Sequence, residues 1–368
     1  MSAKRTSSRR QFLQGQSALD ALADVAERID PATGEESVRS PPAAEAYLLQ
    51  LGRQAMACQF EALLNAGQYS NASETVMEAL DLVDRLEDQL TVYREISEIM
   101  RINREAAAVP VPVEPRLFAL LQRAAELHSE TGGAFDITSG PLTKVWGFYR
   151  RQGAIPGEAE LAEALSRVGS QFLQLDPQAQ TVRFLKPGME LNLGAIGKGH
   201  ALDRVAEVML AAGVRDFLWH GGQSSILARG SQATQTADRP GWLVGLRHPM
   251  LPERQIVEVC LHDRAMGTSG AGTQFFRHRG RRYGHILDPR RGRPAEGVLS
   301  TTVVAPAAAD ADALATALYI LGPEQALAWC KSRAEIGMLM FVGAASGKGV
   351  ELVTAGLADE EWRLTGRL

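Results

Sequence analysis

Two periods alternate along this chain, and each change of period marks an element. Val76, Ala79, Leu80, Val83 and Leu86 recur at helical spacing behind Ser73, which predicts a helix capped by that serine. Leu117, Leu120, Leu121, Ala124 and Leu127 repeat the pattern from Pro115 to about Ser129, with Gly132-Gly133 past the end. Gly153 to Val168 reads as a surface helix. Ala201, Leu202, Val205, Val208 and Met209 predict a helix stopping at Gly213, and Asp310 to Leu321 a last one stopping at Gly322. Apolar runs and alternation predict strands at Leu51–Leu64, Asp216–His220, Ser225–Ala228, Trp242–Leu246, Gln255–Leu261 and Ser300–Ala305. Hairpins are expected from Gln171 to Lys186, around Arg279-Gly280, and between Ile336–Val342 and Val350–Thr354 around Gly347-Lys348-Gly349. Thr91 to Glu98 reads as a polar loop. Hairpins outnumber βαβ units, so the fold class is α+β: a mostly antiparallel sheet with flanking helices.

Composition narrows this only a little. The chain has 368 residues, 45% hydrophobic and 22% charged, enough for one large domain. A formal charge of −4 gives no reason to expect nucleic acid, and no apolar run approaches a membrane span. Cys58, Cys260 and Cys330 lie far apart without metal or redox spacing, as small core residues do. At the N-terminus, Ser8-Arg9-Arg10-Gln11-Phe12-Leu13 has the look of a twin-arginine export signal. Asp20, Asp24, Glu27, Arg28 and Asp30 follow where an apolar h-region belongs, so the compartment stays unassigned. Ser17 to Ile29 reads as a short amphipathic helix and Asp30 to Ala44 as a linker. The expected division is therefore an arm over 1–46 and a catalytic domain over 47–368.

Three constellations carry candidate chemistry. In Leu191–Gly213 the glycines Gly194, Gly197 and Gly199 surround Lys198 and feed a helix start, where free N–H groups and a cation suit a phosphate. The order is GxxGxG, so neither the dinucleotide fingerprint nor a P-loop is met. Glycines that merely permit close packing give the same pattern. Asp312 and Thr316 lie four apart on one helix face and offer hard oxygens of the kind Mg²⁺ takes, although an aspartate there can also serve the helix dipole. His285, at a strand end, can take a proton from a hydroxyl near neutral pH. Asp288 would either orient it or begin the turn at Pro289. Gly132-Gly133-Ala134-Phe135-Asp136 reads by itself as an irregular loop with an Asx-turn aspartate. Phosphate cradle, cation site and base together describe attack on a phosphoanhydride.

From about Leu51 onward the chain resembles the FAD:protein FMN transferases, the ApbE-type flavin transferases. The likeness rests on ordered blocks: Thr131–Leu142, Leu191–Asp203, Gly221-Gly222, Gly267–Gly270, His285–Pro289 with Gly292 and Pro294, and Ala311–Leu318. It implies Mg²⁺-dependent cleavage of FAD, with FMN passing to a threonine or serine hydroxyl of an acceptor protein and AMP leaving. It further implies FAD contacts at Met56, Tyr93, Ala134, Phe135, Asp136, Gly194, Lys198, His200 and Leu287. Metal ligands would be Asp312, Thr316 and the carbonyl of Gly197, with His285 as base. FAD hydrolysis to FMN and AMP, or flavin binding without chemistry, are the alternatives. The chain departs from the family at Asn192, usually Asp, at Gly197, usually Ala, and at His200, usually Tyr. Met56-Ala57-Cys58 stands where Met-Gly-Thr is usual.

Overall fold

A computed structural model of the chain describes residues 47–236, 239–270, 272, 274–344 and 349–367. The twin-arginine-like motif, the predicted helix at Ser17–Ile29, the linker and most of the Gly347–Gly349 turn lie outside these residues. Eighteen strands and seven helices follow one another among them. They run β1 (Leu48–Ala55), β2 (Cys58–Asn65), α1 (Ala72–Leu90), α2 (Glu98–Glu105), β3 (Val111–Pro112), α3 (Pro115–Glu130), α4 (Gly140–Val145) and α5 (Glu158–Ser166). Next come β4 (Leu173–Asp176), β5 (Thr181–Phe184), α6 (Gly197–Ala211), β6 (Phe217–Gly221), β7 (Ser225–Arg229), β8 (Trp242–Arg247), β9 (Gln255–Leu261) and β10 (Ala265–Gly270). The chain continues through β11 (Phe275–His278), β12 (Arg281–Gly284), β13 (Leu287–Asp288), β14 (Arg293–Pro294) and β15 (Val298–Ala305). It ends with α7 (Ala308–Cys330), β16 (Gly337–Gly343), β17 (Val350–Ala355) and β18 (Trp362–Leu364).

The α+β reading holds. An eight-stranded sheet runs in the order β1-β2-β6-β7-β10-β15-β16-β17, and every neighbouring pair in it is antiparallel. Strands β6, β7 and β16 are buried on both faces, which is why they read as apolar runs rather than alternations. Phe217 and Trp219 of β6 and Met338 and Met340 of β16 face a helical core. Leu218, Leu339 and Phe341 point the other way, into a second core shared with Trp242, Val257 and Val259 of the sheet β18-β9-β8. A third, smaller cluster gathers Leu142, Trp146, Phe148, Leu161 and Leu287.

Several boundaries differ from the pattern. The apolar run at Leu51–Leu64 is two strands, β1 and β2, turning at Met56 and Ala57 with φ of 48° and 60°. A two-residue turn of this kind normally signals itself with Asn-Gly, and Met-Ala hides it. Ser73 lies inside α1; the capping residue is Asn71, with no side-chain hydrogen bond. Helix α2 follows the predicted polar loop, its start fixed by Ser97 Oγ accepting from Met100 N–H. One boundary agrees: the helix predicted from Asp310 stops at Gly322, where a φ of 76° breaks it, and a second helical stretch led by Pro323 continues the span of α7 to Cys330.

Two close approaches set the site. A Cβ on Gly199 would run into the Ala308 carbonyl, and one on Gly267 into the backbone of Ala311. Glycine at these positions lets α6 and β10 touch the first turns of α7. Those turns are tied down: Asp203 of α6 accepts from the N–H groups of Ala308 and Ala309 at 2.8 and 2.9 Å. Arg123 of α3 forks onto the Asp310 carboxylate. Capping of this kind contributes about 1 kcal/mol.

Candidate active site

One cavity of about 500 Å³ opens where the β1–β2 turn, the loop before α4, the start of α6, β10, the end of β12 and the first half of α7 converge. Met56, Tyr93, Ala134, Phe135, Asp136, Gly194, Lys198, His285, Leu287, Asp312 and Thr316 all line it. Residues called from six separate segments thus share one space. Gly197 and His200 are not among the lining residues. The imidazole of His200 is buried instead, in the surroundings of Glu114, Arg116, Arg204 and Glu207, which removes it as a surface for flavin or adenine to stack on.

Asp312 is a buried carboxylate. Its Oδ2 accepts from the Gly199 N–H and from the Ser225 hydroxyl, both at 2.8 Å. Burial pushes its carboxyl above the usual range, opposed by the charge of Lys198 and by these two hydrogen bonds. Thr316, one turn on, exchanges a 2.9 Å hydrogen bond with Ser269 of β10. Among the described residues no three His, Cys, Asp or Glu side chains gather into a metal cluster. One carboxylate beside hydroxyls suits a hard cation that keeps water and completes its shell with phosphate oxygens, as Mg²⁺ does. The donors present therefore fit Mg²⁺ and do not fit zinc.

Lys198 brings the cation for the phosphate side, and its charge reaches Asp312, His285 and Cys58. The glycine turn before it combines both readings open in the sequence. Gly199 is there for packing and spends its N–H on Asp312, while Gly194 and Lys198 line the cavity. Asn192 holds the turn, its Oδ1 accepting from the Gly194 N–H at 2.9 Å. A neutral amide does this as well as a carboxylate, so the departure from Asp leaves the local geometry supported. A Cβ on Gly197 would meet only ordinary contacts with Leu90 and Leu193.

His285 has the arrangement of a base. Its Nδ1 donates to the Gln274 carbonyl at 3.0 Å, which leaves Nε2 as the proton acceptor. Burial lowers its pKa below the ordinary histidine value, the Gln274 hydrogen bond opposes this, and the nearby Lys198 charge adds to it. The ring is therefore neutral at pH 7. Asp288 does not orient it: its carboxylate takes the N–H and the guanidinium of Arg290 and starts the turn. Gln274 had no signal in the sequence.

Asp136 is a buried hub. It accepts from Thr138 N–H and Oγ1 at 2.8 and 2.7 Å and from Ser170 N–H and Oγ at 3.1 and 2.7 Å, with His128 Nδ1 at 3.1 Å. Burial alone would raise its pKa; His128 and the hydroxyls outweigh it and hold the carboxyl below its usual range. It fixes the loop that brings Ala134 and Phe135 to the cavity. Tyr93 is exposed and stacks on Tyr149 with ring centroids 5.0 Å apart. Met56 donates its N–H to Glu87 at 2.7 Å, which steadies the left-handed turn. Ser225, Ser269 and Asp203 also escaped the sequence reading, although Ser269 and Asp203 sit inside blocks that it singled out.

A lysine, a buried carboxylate with hydroxyls and an imidazole thus surround one space. Within the fold just described, the particular family is also identified. Residues 56–340 match the ApbE family, and the chain belongs to it. An FAD:protein FMN transferase of Treponema pallidum is 35% identical over 68% of this chain and 72% of its own length. One from Klebsiella pneumoniae is 32% identical over 73% and 82%. The flavin transferase ApbE of Vibrio cholerae superposes with a TM-score of 0.73 at 26% identity, covering 84% of this chain and 97% of that one. The ApbE protein of Thermotoga maritima gives 0.74 at 26%, over 83% and 97%.

Proposed function

We propose that this chain is a Mg²⁺-dependent FAD:protein FMN transferase, which moves FMN from FAD to a threonine or serine hydroxyl of an acceptor protein and releases AMP. The observation that carries the reading is the convergence of Lys198, Asp312 and His285 on one cavity inside the segment that matches the family. Met56, Tyr93, Ala134, Phe135, Asp136, Gly194, Lys198 and Leu287 would contact FAD. His200 was expected among them and is left out, since it lies away from the cavity.

Asp312, Thr316 and the Gly197 carbonyl would hold Mg²⁺, which when bound neutralises charge on the pyrophosphate oxygens. Lys198 adds a second positive charge there. His285 Nε2 takes the proton of the acceptor hydroxyl as its oxygen bonds to the phosphorus on the FMN side. The bond from that phosphorus to the bridging oxygen breaks, and AMP leaves with the electron pair. Gln274 keeps the imidazole in the required tautomer, and burial keeps it unprotonated.

Incubating the protein with FAD, Mg²⁺ and a threonine-containing acceptor should give a covalently flavinylated product and equimolar AMP. FMN released at the same rate without acceptor would instead mark a hydrolase. Bound FAD with neither product would mark a binding protein.

A further inference from the structure

The hairpin β11–β12 leaves the cavity at Gln274 and returns to it at His285. Between Phe275 and Gly284 it carries Arg277, His278, Arg279, Arg281 and Arg282 and no acidic residue. Arg281 is neutralised by Glu296. Arg277 and Arg279 are exposed and have no ion pair among the described residues. Arg277 stands directly opposite Arg282 in the ladder, and like charges in that position destabilise a hairpin. Both guanidiniums lie over the exposed ring of Phe275, at 5.9 and 3.8 Å from its centroid. Arg279 sits in the turn with a φ of 49°, a position that favours glycine or asparagine.

The hairpin's other side is anchored. Phe276 stacks on Tyr283 with centroids 5.2 Å apart and packs against Phe148. The loop after Phe148 also carries exposed Arg150 and Arg151, neither ion-paired among the described residues. The nearby acids do not offset this. Asp288 is taken by Arg290, and Glu296 by Arg281. A chain with a net charge of −4 thus concentrates uncompensated arginine beside its base.

We infer that this hairpin docks an acidic segment of the acceptor protein. The inference rests on the transfer reading, because an acceptor hydroxyl that reaches His285 must bring its flanking residues past the strand that ends one position earlier. Carboxylates beside the acceptor residue would be drawn to Arg277 and Arg279, and Phe275 offers an apolar platform between the charges. Rim charges of this kind act mainly on encounter and specificity.

The test compares two peptides, each with one threonine, flanked by Asp and Glu in one and by Ser and Gly in the other. The acidic peptide should be modified with about tenfold higher kcat/KM at low salt, an advantage that shrinks as salt rises. In R277E/R279E that advantage should vanish, while FAD binding by flavin fluorescence and the rate on the neutral peptide stay within about twofold. Equal use of both peptides, or a preference that survives the double substitution, overturns the docking surface and leaves transfer intact. If neither peptide is modified, labelled peptides are titrated by anisotropy against the FAD-loaded protein. Acid-selective binding lost in the double variant then supports the surface while transfer falls, and its absence overturns the surface as well. Sedimentation with phosphatidylglycerol vesicles that depends on Arg277 and Arg279, without peptide selectivity, overturns it in favour of a membrane.

Discussion

The N–H of Gly199 donates to the carboxylate of Asp312 at 2.8 Å, across 113 positions of sequence. This bond makes the glycine turn and the acidic helix one site rather than two. It also depends on the absence of a side chain at Gly199, since a Cβ there would overlap the Ala308 carbonyl.

Gly199→Ala should therefore separate α6 from α7. The cost is that of overpacking, about 1–3 kcal/mol, read as a lower Tm, and transfer should fall because Asp312 loses a donor. Gly197→Ala, whose Cβ meets only ordinary contacts, should leave both within experimental error. Equal tolerance of the two substitutions would remove the packing role assigned to the third glycine.

Asp312→Asn tests the cation site without relying on turnover alone. Asp312 is a buried carboxylate whose charge is disfavoured by burial, so the amide should melt at or above the parent temperature in the absence of Mg²⁺. Adding Mg²⁺ with FAD should raise the Tm of the parent and not that of the variant. Transfer should drop on the order of 10²-fold or more, because the cation supplies several kcal/mol of charge stabilisation. A variant that still gains stability from Mg²⁺ would place the ion elsewhere.

Much of this architecture is legible in the sequence, for reasons that differ by residue. Strands β6 and β16 are legible because burial on both faces leaves an apolar run, Phe217–Trp219 in one and Met338–Val342 in the other. Helix α3 carried its own punctuation in Pro115 and Gly132. Lys198, Asp312, Thr316 and His285 stand out in the sequence by residue type, and the fold brings them to one cavity. What escaped is non-local. Nothing in the sequence around Ser225 says that its hydroxyl will meet Asp312, and a backbone carbonyl such as Gln274 O has no residue identity to read. The turn at Met56-Ala57 was hidden because positive φ is held there by the Glu87 carboxylate and the sheet rather than by glycine. His200, next to Gly199 in sequence, is buried near the charges of Arg204 and Glu114 and does not line the cavity.

His285 gives transfer a pH profile with a definite sign. Its folded pKa is lowered, so the neutral ring persists below the pH at which an ordinary histidine gains its proton. kcat/KM for the acceptor should be flat through neutral pH and fall on acidification, with the break below 6.5. His285→Ala should remove that limb and cost about 10²–10⁴-fold in transfer, with FAD binding nearly intact. A break above 6.5, or transfer that survives the alanine, would assign the base elsewhere.

His200 and Asp203 pull acid stability in opposite directions. Burial lowers the His200 pKa from 6.5 to about 4, with the Arg204 charge adding to the effect. The unfolded chain binds this proton first, so stability from His200 is full above 6.5 and lost as pH falls toward about 4. Burial raises Asp203 from 3.8 to about 6, against the two N–H bonds from Ala308 and Ala309. There the folded state binds the proton first, and stability is gained over nearly the same window. The parent should consequently show little net change in this interval from the pair. Removing the histidine exposes the other half. At about 1.36 kcal/mol per unit, His200→Gln should gain up to about 3 kcal/mol on the parent between pH 6.5 and 4, measured as the change in unfolding free energy with urea at each pH. If the difference between variant and parent stays constant across that range, His200 is not held neutral by burial.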